Sequence, residues 1–279
     1  MAKDKSALVS YLVIAGLLLL LAYPALLWLV RSWISNPYYS HGFLVLPIAA
    51  LLAWRKWHPL KTEHRDSLRW PGLVLILTSL AAIVWAMRWQ SYFVSALALV
   101  VLLTGILFYL EGWARVRHWL FPLLFLAFMV PLPFIDLASP WLEAFTANSA
   151  TSLAHLVGIE AVQQGGEITL PGTTFVVGAP CSGLRSLVAM VTVAVGWIYV
   201  VEGRLWAKSL MVAAVLPLVA LSNVLRIAIL LAVAQLFGQE AALTYYHDWS
   251  SPILFLMALA LLLVLGKVLG CSRVREDIF

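Results

Sequence analysis

Charge is what this chain of 279 residues is short of: Lys, Arg, Asp and Glu make up 11% of it, while apolar and aromatic residues make up 63%. No ordinary soluble domain has that balance, so a water-facing enzyme and a disordered, solvating segment are both excluded. Cysteine is scarcer still. Two residues, Cys181 and Cys271, rule out a disulfide framework, and no Cys/His spacing of the metal-binding kind is present. There is no phosphate loop, no internal repeat and no low-complexity tract. The modest excess of basic over acidic residues, 18 to 13, reads as membrane topology rather than as nucleic-acid binding.

What the chain has in abundance is apolar runs long enough to cross a bilayer. Their positions, roughly 7–30, 41–54, 70–87, 91–110, 118–133, 183–201, 207–236 and 251–269, predict an all-α polytopic membrane protein with about eight transmembrane helices in a single domain, 1–279. The second and fifth runs are short and read as tilted or partly re-entrant. The first follows Lys3 and Lys5 as a signal sequence would, but it is long and no small-residue cleavage site precedes Arg31, so it reads as a retained span.

With the N-terminus inside, one face collects Lys3, Lys5, Arg55, Lys56, Lys61, Arg65, Arg69, Arg115, Arg117, Arg204, Lys208, Lys267, Arg273 and Arg275. The other keeps only Arg31, Arg88, Arg185 and Arg226, a bias that predicts both termini in the cytoplasm. The basic loop Trp54 to Arg69, with His58 and His64, reads as a solvated segment near anionic lipid.

The longest outer loop, about 134–182, is expected to form a small cap. Ser139 to Val157 carries Leu142, Phe145, Ser149, Leu153 and Leu156 at helical spacing and predicts an amphipathic helix. Glu167–Leu170 and Thr173–Val177 flank Pro171-Gly172 and predict a β-hairpin that ends just before Cys181.

Cys181 stands where this cap meets the sixth run, in Pro180-Cys181-Ser182-Gly183-Leu184-Arg185-Ser186. Unpaired N–H groups and the helix dipole favour a thiolate there and would stabilise an oxyanion beside it. The bland alternative is a small hydrophobe at a packing position. Arg226, in Ser222-Asn223-Val224-Leu225-Arg226-Ile227, lies about 15 Å below the outer end of the seventh run. A guanidinium at such depth costs about 2.5–3.5 kcal/mol on the insertion scale, so it must face a cavity, a partner or an anion. The bland alternative is satisfaction by carbonyls freed near Pro217 or by Asn223. His247, in Tyr245-Tyr246-His247-Asp248-Trp249, is expected on the outer loop before the eighth run, where an aromatic-flanked histidine alone would be an interfacial anchor.

A thiolate nucleophile, an imidazole base and a fixed cation on one face are what acyl transfer requires. His41, in Ser40-His41-Gly42, is a rival base. Ser182, Ser186 and Asn223 are candidate supporting or substrate-contacting groups, each with a plain alternative as a helix cap or interhelical hydrogen bond.

At Cys181-Ser182-Gly183-Leu184-Arg185-Ser186, Asn223-Val224-Leu225-Arg226-Ile227 and His247 the sequence resembles the exosortase/archaeosortase family of membrane transpeptidases. Tyr39-Ser40-His41-Gly42-Phe43-Leu44-Val45-Leu46-Pro47-Ile48 resembles exosortases of Gram-negative bacteria, and the likeness covers nearly the entire chain. The resemblance implies Cys181 as nucleophile, Arg226 as cationic partner and His247 as acid/base, in a catalytic core of about 180–250. It implies a bacterial inner membrane with the site facing the periplasm. The implied substrates are secreted proteins with a PEP-CTERM-type C-terminal signal, whose helix docks in the membrane, and the acceptor is an amine, with membrane lipid as one candidate. No metal or organic cofactor and no nucleic acid is called for. An intramembrane protease that only hydrolyses the signal is the nearest alternative. A transporter or flippase with Arg226 as its anion site is the alternative from a different class.

Overall fold

Apolar sequence in a bilayer leaves a backbone amide no partner except another amide, so spanning segments become helices whatever their residue propensities. The computed structural model describes residues 2–56, 69–176, 183–276 and 278, and the side chains of 2–15, Asp136, Tyr245, His247 and Asp248 fall outside that description. Among the positions singled out above, Cys181, Ser182, Val177, His58 and His64 lie outside the described residues. The chain is mostly helical. It divides into two units, residues 1–132 and 133–279.

The first unit contains α1 (Ala2–Ser35), α2 (Gly42–Arg55), α3 (Trp70–Arg88), α4 (Tyr92–Glu111) and α5 (Trp113–Phe125), the last running into a 3-10 turn, Leu126–Met129. Pro131 and Pro133 follow, and neither supplies an N–H to continue a helix. Helices α3 and α4 form a tight hairpin whose backbones approach through paired glycines. A Cβ on Gly72 would lie 2.6 Å from the Tyr109 nitrogen, and one on Gly105 would lie 2.9 Å from Leu75 Cβ. Ile83, Ala98 and Leu102 fill the core beside this contact.

The second unit begins with α6 (Ser139–Leu156) and strands β1 (Val162–Gln164), β2 (Glu167–Leu170) and β3 (Thr173–Val176). Helices α7 (Leu184–Val200), α8 (Leu205–Phe237) and α9 (His247–Val268) follow, with a π-helical turn, Ala241–Tyr246, before α9. The expected hairpin is present, with Leu170 opposite Thr173 across Pro171-Gly172, and Gly172 at φ 89°. A third strand, not anticipated, extends it. β1 pairs antiparallel with β2, placing Gln164 opposite Glu167 across Gly165-Gly166. Ile168, Leu170 and Phe175 are buried in one cluster with Ala147, Ala150 and Ala154 of α6 and Ile227, Leu230 and Leu231 of α8. A second cluster joins Met190 and Ala194 of α7, Met211, Val215 and Val219 of α8, and Ala258 and Leu262 of α9.

The expected α6 helix is present. Its buried face is Leu142, Thr146, Ala147, Ala150, Thr151 and Ala154, whereas Phe145 and Leu156 are exposed. The small residues of that face let its backbone approach α8 closely. One expectation is corrected: His247 opens α9 rather than sitting on a loop.

Among the described residues five helical segments are long and apolar enough to span a membrane: Gly16–Ser35, Trp70–Arg88, Tyr92–Glu111, Leu205–Phe237 and Trp249–Val268. The 14 residues of α2 and 17 of α7 are apolar but shorter, about 21 and 26 Å against a hydrocarbon core of about 30 Å. The chain is a polytopic, helical membrane protein.

Candidate active site

Three helices of the second unit each contribute one stripe to a shared cavity. From α8 come Val219, Ser222, Asn223 and Arg226, from α9 Ser251, Leu254, Phe255 and Ala258, and from α7 Ser186 and Met190. The α8 and α9 sets both follow the i, i+3, i+4, i+7 spacing of a single helix face. Polar groups gather at one end, where Ser186, Ser222, Asn223, Arg226 and Ser251 meet, and the other end is apolar. The enclosed volume is about 20 Å³, room for one water-sized atom.

Arg226 is the charged member, and only 8% of it is exposed. Its Nη1–H donates to Ser251 Oγ at 2.5 Å. Among the described residues nothing accepts from Nη2, although that atom is buried. A buried guanidinium N–H without an acceptor is expensive, and a water, an ion or an incoming oxygen would relieve it. The Arg226 backbone is tied as well, because the Tyr246 hydroxyl donates to its carbonyl at 3.1 Å. Burial pushes the Tyr246 phenol above its ordinary value, which keeps it an O–H donor.

Asn223 is 6% exposed and its Nδ2 donates to Thr146 Oγ1 of α6 at 3.1 Å. Its other side faces Gly183, the residue that starts α7. Gly183 has φ 81°, and a Cβ there would come within 3.0 Å of Asn223 Cγ. Asn223 therefore links α6, α8 and the first turn of α7. Arg185, next in that turn, is exposed.

Of the residues read from the sequence, Ser186, Asn223 and Arg226 are brought together in this cavity. His247 stands on α9 four residues ahead of Ser251, one helical turn along the same face, and its side chain is outside the description. Cys181 and Ser182 precede Gly183 and lie outside the described residues.

His41 belongs to the first unit. Its Nε2–H donates to the Phe128 carbonyl at 3.3 Å and its ring stands 5.9 Å from that of Tyr39. Burial holds its pKa below the usual 6.5, against smaller opposing contributions from hydrogen bonds to backbone at Phe128 and Tyr38. Tyr39, almost fully buried, accepts the Leu132 N–H at 2.8 Å, and Trp33 Nε1–H donates to the Met129 carbonyl at 2.8 Å. These bonds hold the Asn36–Gly42 turn to the end of the unit, which is a structural setting.

Sequence reasoning missed Ser251, Tyr246 and Thr146. Ser251 was readable in part: once His247 is taken as the first residue of a helix, the i+4 position is Ser251. Thr146 carried no signal, because its partner lies 77 residues away. Among the described residues no group of three His, Cys, Asp or Glu side chains could hold a metal ion.

The fold and this site define a polytopic helical membrane protein with a polar cavity beside a buried arginine. The model of the transmembrane exosortase family matches residues 33–264, most of the chain. The chain belongs to that family, which is one of membrane protein-sorting enzymes and generally of cysteine peptidases or transpeptidases. No curated protein and no solved structure matches it.

Proposed function

We infer that the protein is a cysteine transpeptidase of the inner membrane that cleaves the PEP-CTERM-type C-terminal signal of secreted proteins and passes them to an amine acceptor. The observation that carries this reading is the buried Arg226 Nη2, which has no acceptor among the described residues, in a residue that lines a cavity of about 20 Å³. Gly183, two residues after Cys181 in the sequence, packs on Asn223 of the same cavity.

In the proposed reaction the imidazole of His247 takes the thiol proton of Cys181, and Sγ attacks the carbonyl carbon of the scissile peptide. The C–S bond forms and the carbonyl electrons move to oxygen. Arg226 Nη2 and the N–H groups at the start of α7 receive that oxyanion. Collapse breaks the C–N bond, and the imidazole of His247 delivers the proton that the leaving amine needs. The thioester is then attacked by an amine, which releases the thiol and forms a new amide. The signal helix would lie beside α8 and α9 in the membrane, with its motif at the periplasmic side.

The test follows a tagged substrate carrying a C-terminal signal helix, co-expressed with wild type or Cys181→Ala. Processing by wild type alone supports the acyl-enzyme. A product mass raised by an amine-bearing group gives transfer, whereas a free carboxylate gives hydrolysis. Equal processing by Cys181→Ala would overturn the reading.

A further inference from the structure

The guanidinium of Arg226 has five N–H donors on a stem with four rotatable bonds, and its ability to present one of them to a reacting oxygen depends on what stops it from turning. Among the described residues, Ser251 is the side chain that hydrogen-bonds it. Because the guanidinium is rigid and planar, anchoring Nη1 fixes the direction of Nη2 as well. Ser251 stands on α9 one turn after His247. The bond therefore ties the cation of α8 to the α9 face that carries the histidine. The Tyr246 hydroxyl fixes the backbone of the same residue from the turn preceding α9.

We propose that Ser251 is a positioning residue for Arg226: its hydroxyl accepts Nη1–H and so holds the guanidinium, with its unpartnered Nη2, in one orientation beside the cavity that Arg226 lines with Ser186, Ser222 and Asn223. This rests on the transpeptidase reading above. Ser251 acts through Arg226. It converts a flexible cation into a fixed donor, which matters most when the oxygen becomes an anion. Its removal should accordingly lower the rate of the chemical step and leave substrate binding alone.

The experiment uses the full-length protein in detergent, with Ser251→Thr and Ser251→Val as a matched pair and Ser251→Ala as a third variant. Thr and Val have nearly the same shape and differ in the hydroxyl. Processing of a signal-bearing substrate is followed at several concentrations. The expected result is that Ser251→Val and Ser251→Ala lose about ten-fold or more in kcat, the scale of one hydrogen bond to a charged group. KM should stay within about two-fold and Ser251→Thr within about three-fold of wild-type kcat.

Thermal unfolding of Ser251→Ala, Arg226→Gln and the double variant reads the bond without reference to turnover, and the two changes should be non-additive. Wild-type kcat in Ser251→Val, or equal losses in the Thr and Val variants, or additive stability effects, would each overturn the proposal. Failure of wild type itself to process the substrate would instead overturn the transpeptidase reading, a separately recognisable outcome.

Discussion

Arg226 is the residue at which this sequence spends most against its own solvent. Among the described residues its Nη1 bonds to Ser251 and its Nη2 has no acceptor, an arrangement that suits an oxygen arriving from outside the fold. Gly183 is the second residue that the site requires for a physical reason. Its φ of 81° and its contact with Asn223 leave no place for a Cβ. Gly183→Ala should lower stability by about 1–2 kcal/mol from backbone strain alone, read as a lower unfolding midpoint in detergent, and should slow processing by shifting the start of α7. His41 predicts a pH dependence. Its folded pKa is depressed below 6.5, so the unfolded chain binds more protons in the window just under that value. Stability is then full above about pH 6.5 and falls as the pH drops through the folded pKa. Unfolding midpoints measured from pH 7.5 down to pH 5 should decline in wild type and decline less in His41→Gln.

At the scale of elements, packing in both units is governed by small residues. The α3–α4 hairpin closes through Gly72 and Gly105, and α6 meets α8 through Ala147, Ala150 and Ala154 with the Thr146–Asn223 bond between them. Apolar surface has no reason to leave lipid for protein, so van der Waals contact between close backbones decides which faces meet. Gly72→Val should therefore destabilise the first unit by about 1–3 kcal/mol, the usual penalty of overpacking, since the nearest obstacle is the Tyr109 backbone rather than a movable side chain. A fall in unfolding midpoint checks it. An unchanged midpoint would mean that the two helices separate without penalty. The three-stranded sheet follows different physics: Ile168 and Leu170 alternate with exposed Glu167 and Thr169, and the buried pair covers the α6 and α8 contact.

For the whole molecule the relevant force is the membrane's own asymmetry. Lys and Arg crowd the segments after α2, after α7 and beyond α9, and thin out in residues 134–182. That distribution predicts that alkaline phosphatase fused after Gly165 is active outside the cytoplasm, while fusions after Lys61 or Gly203 are inactive. The reverse pattern would move the proposed site to the cytoplasmic face and remove secreted proteins as its substrates.

The linear sequence was enough to establish a helical membrane protein, its family, the place of Arg226 inside a long apolar helix and the turn at Pro171-Gly172, because these depend on composition and on residues close together along the chain. The face that α6 buries was not legible, since the residues in contact with α8 are mostly small and carry little apolar signal. Strand β1 was hidden because Val162-Gln163-Gln164 has no apolar alternation, although Gly165-Gly166 before β2 marked the turn. The helical start of α9 was missed because Tyr245-Tyr246-His247-Asp248-Trp249 has the composition of an interfacial loop. Only the tertiary structure could decide which side chains meet Arg226 and Asn223. Ser251 is 25 residues from the first and Thr146 is 77 from the second, separations at which contact is set by how helices pack rather than by any local preference of the chain.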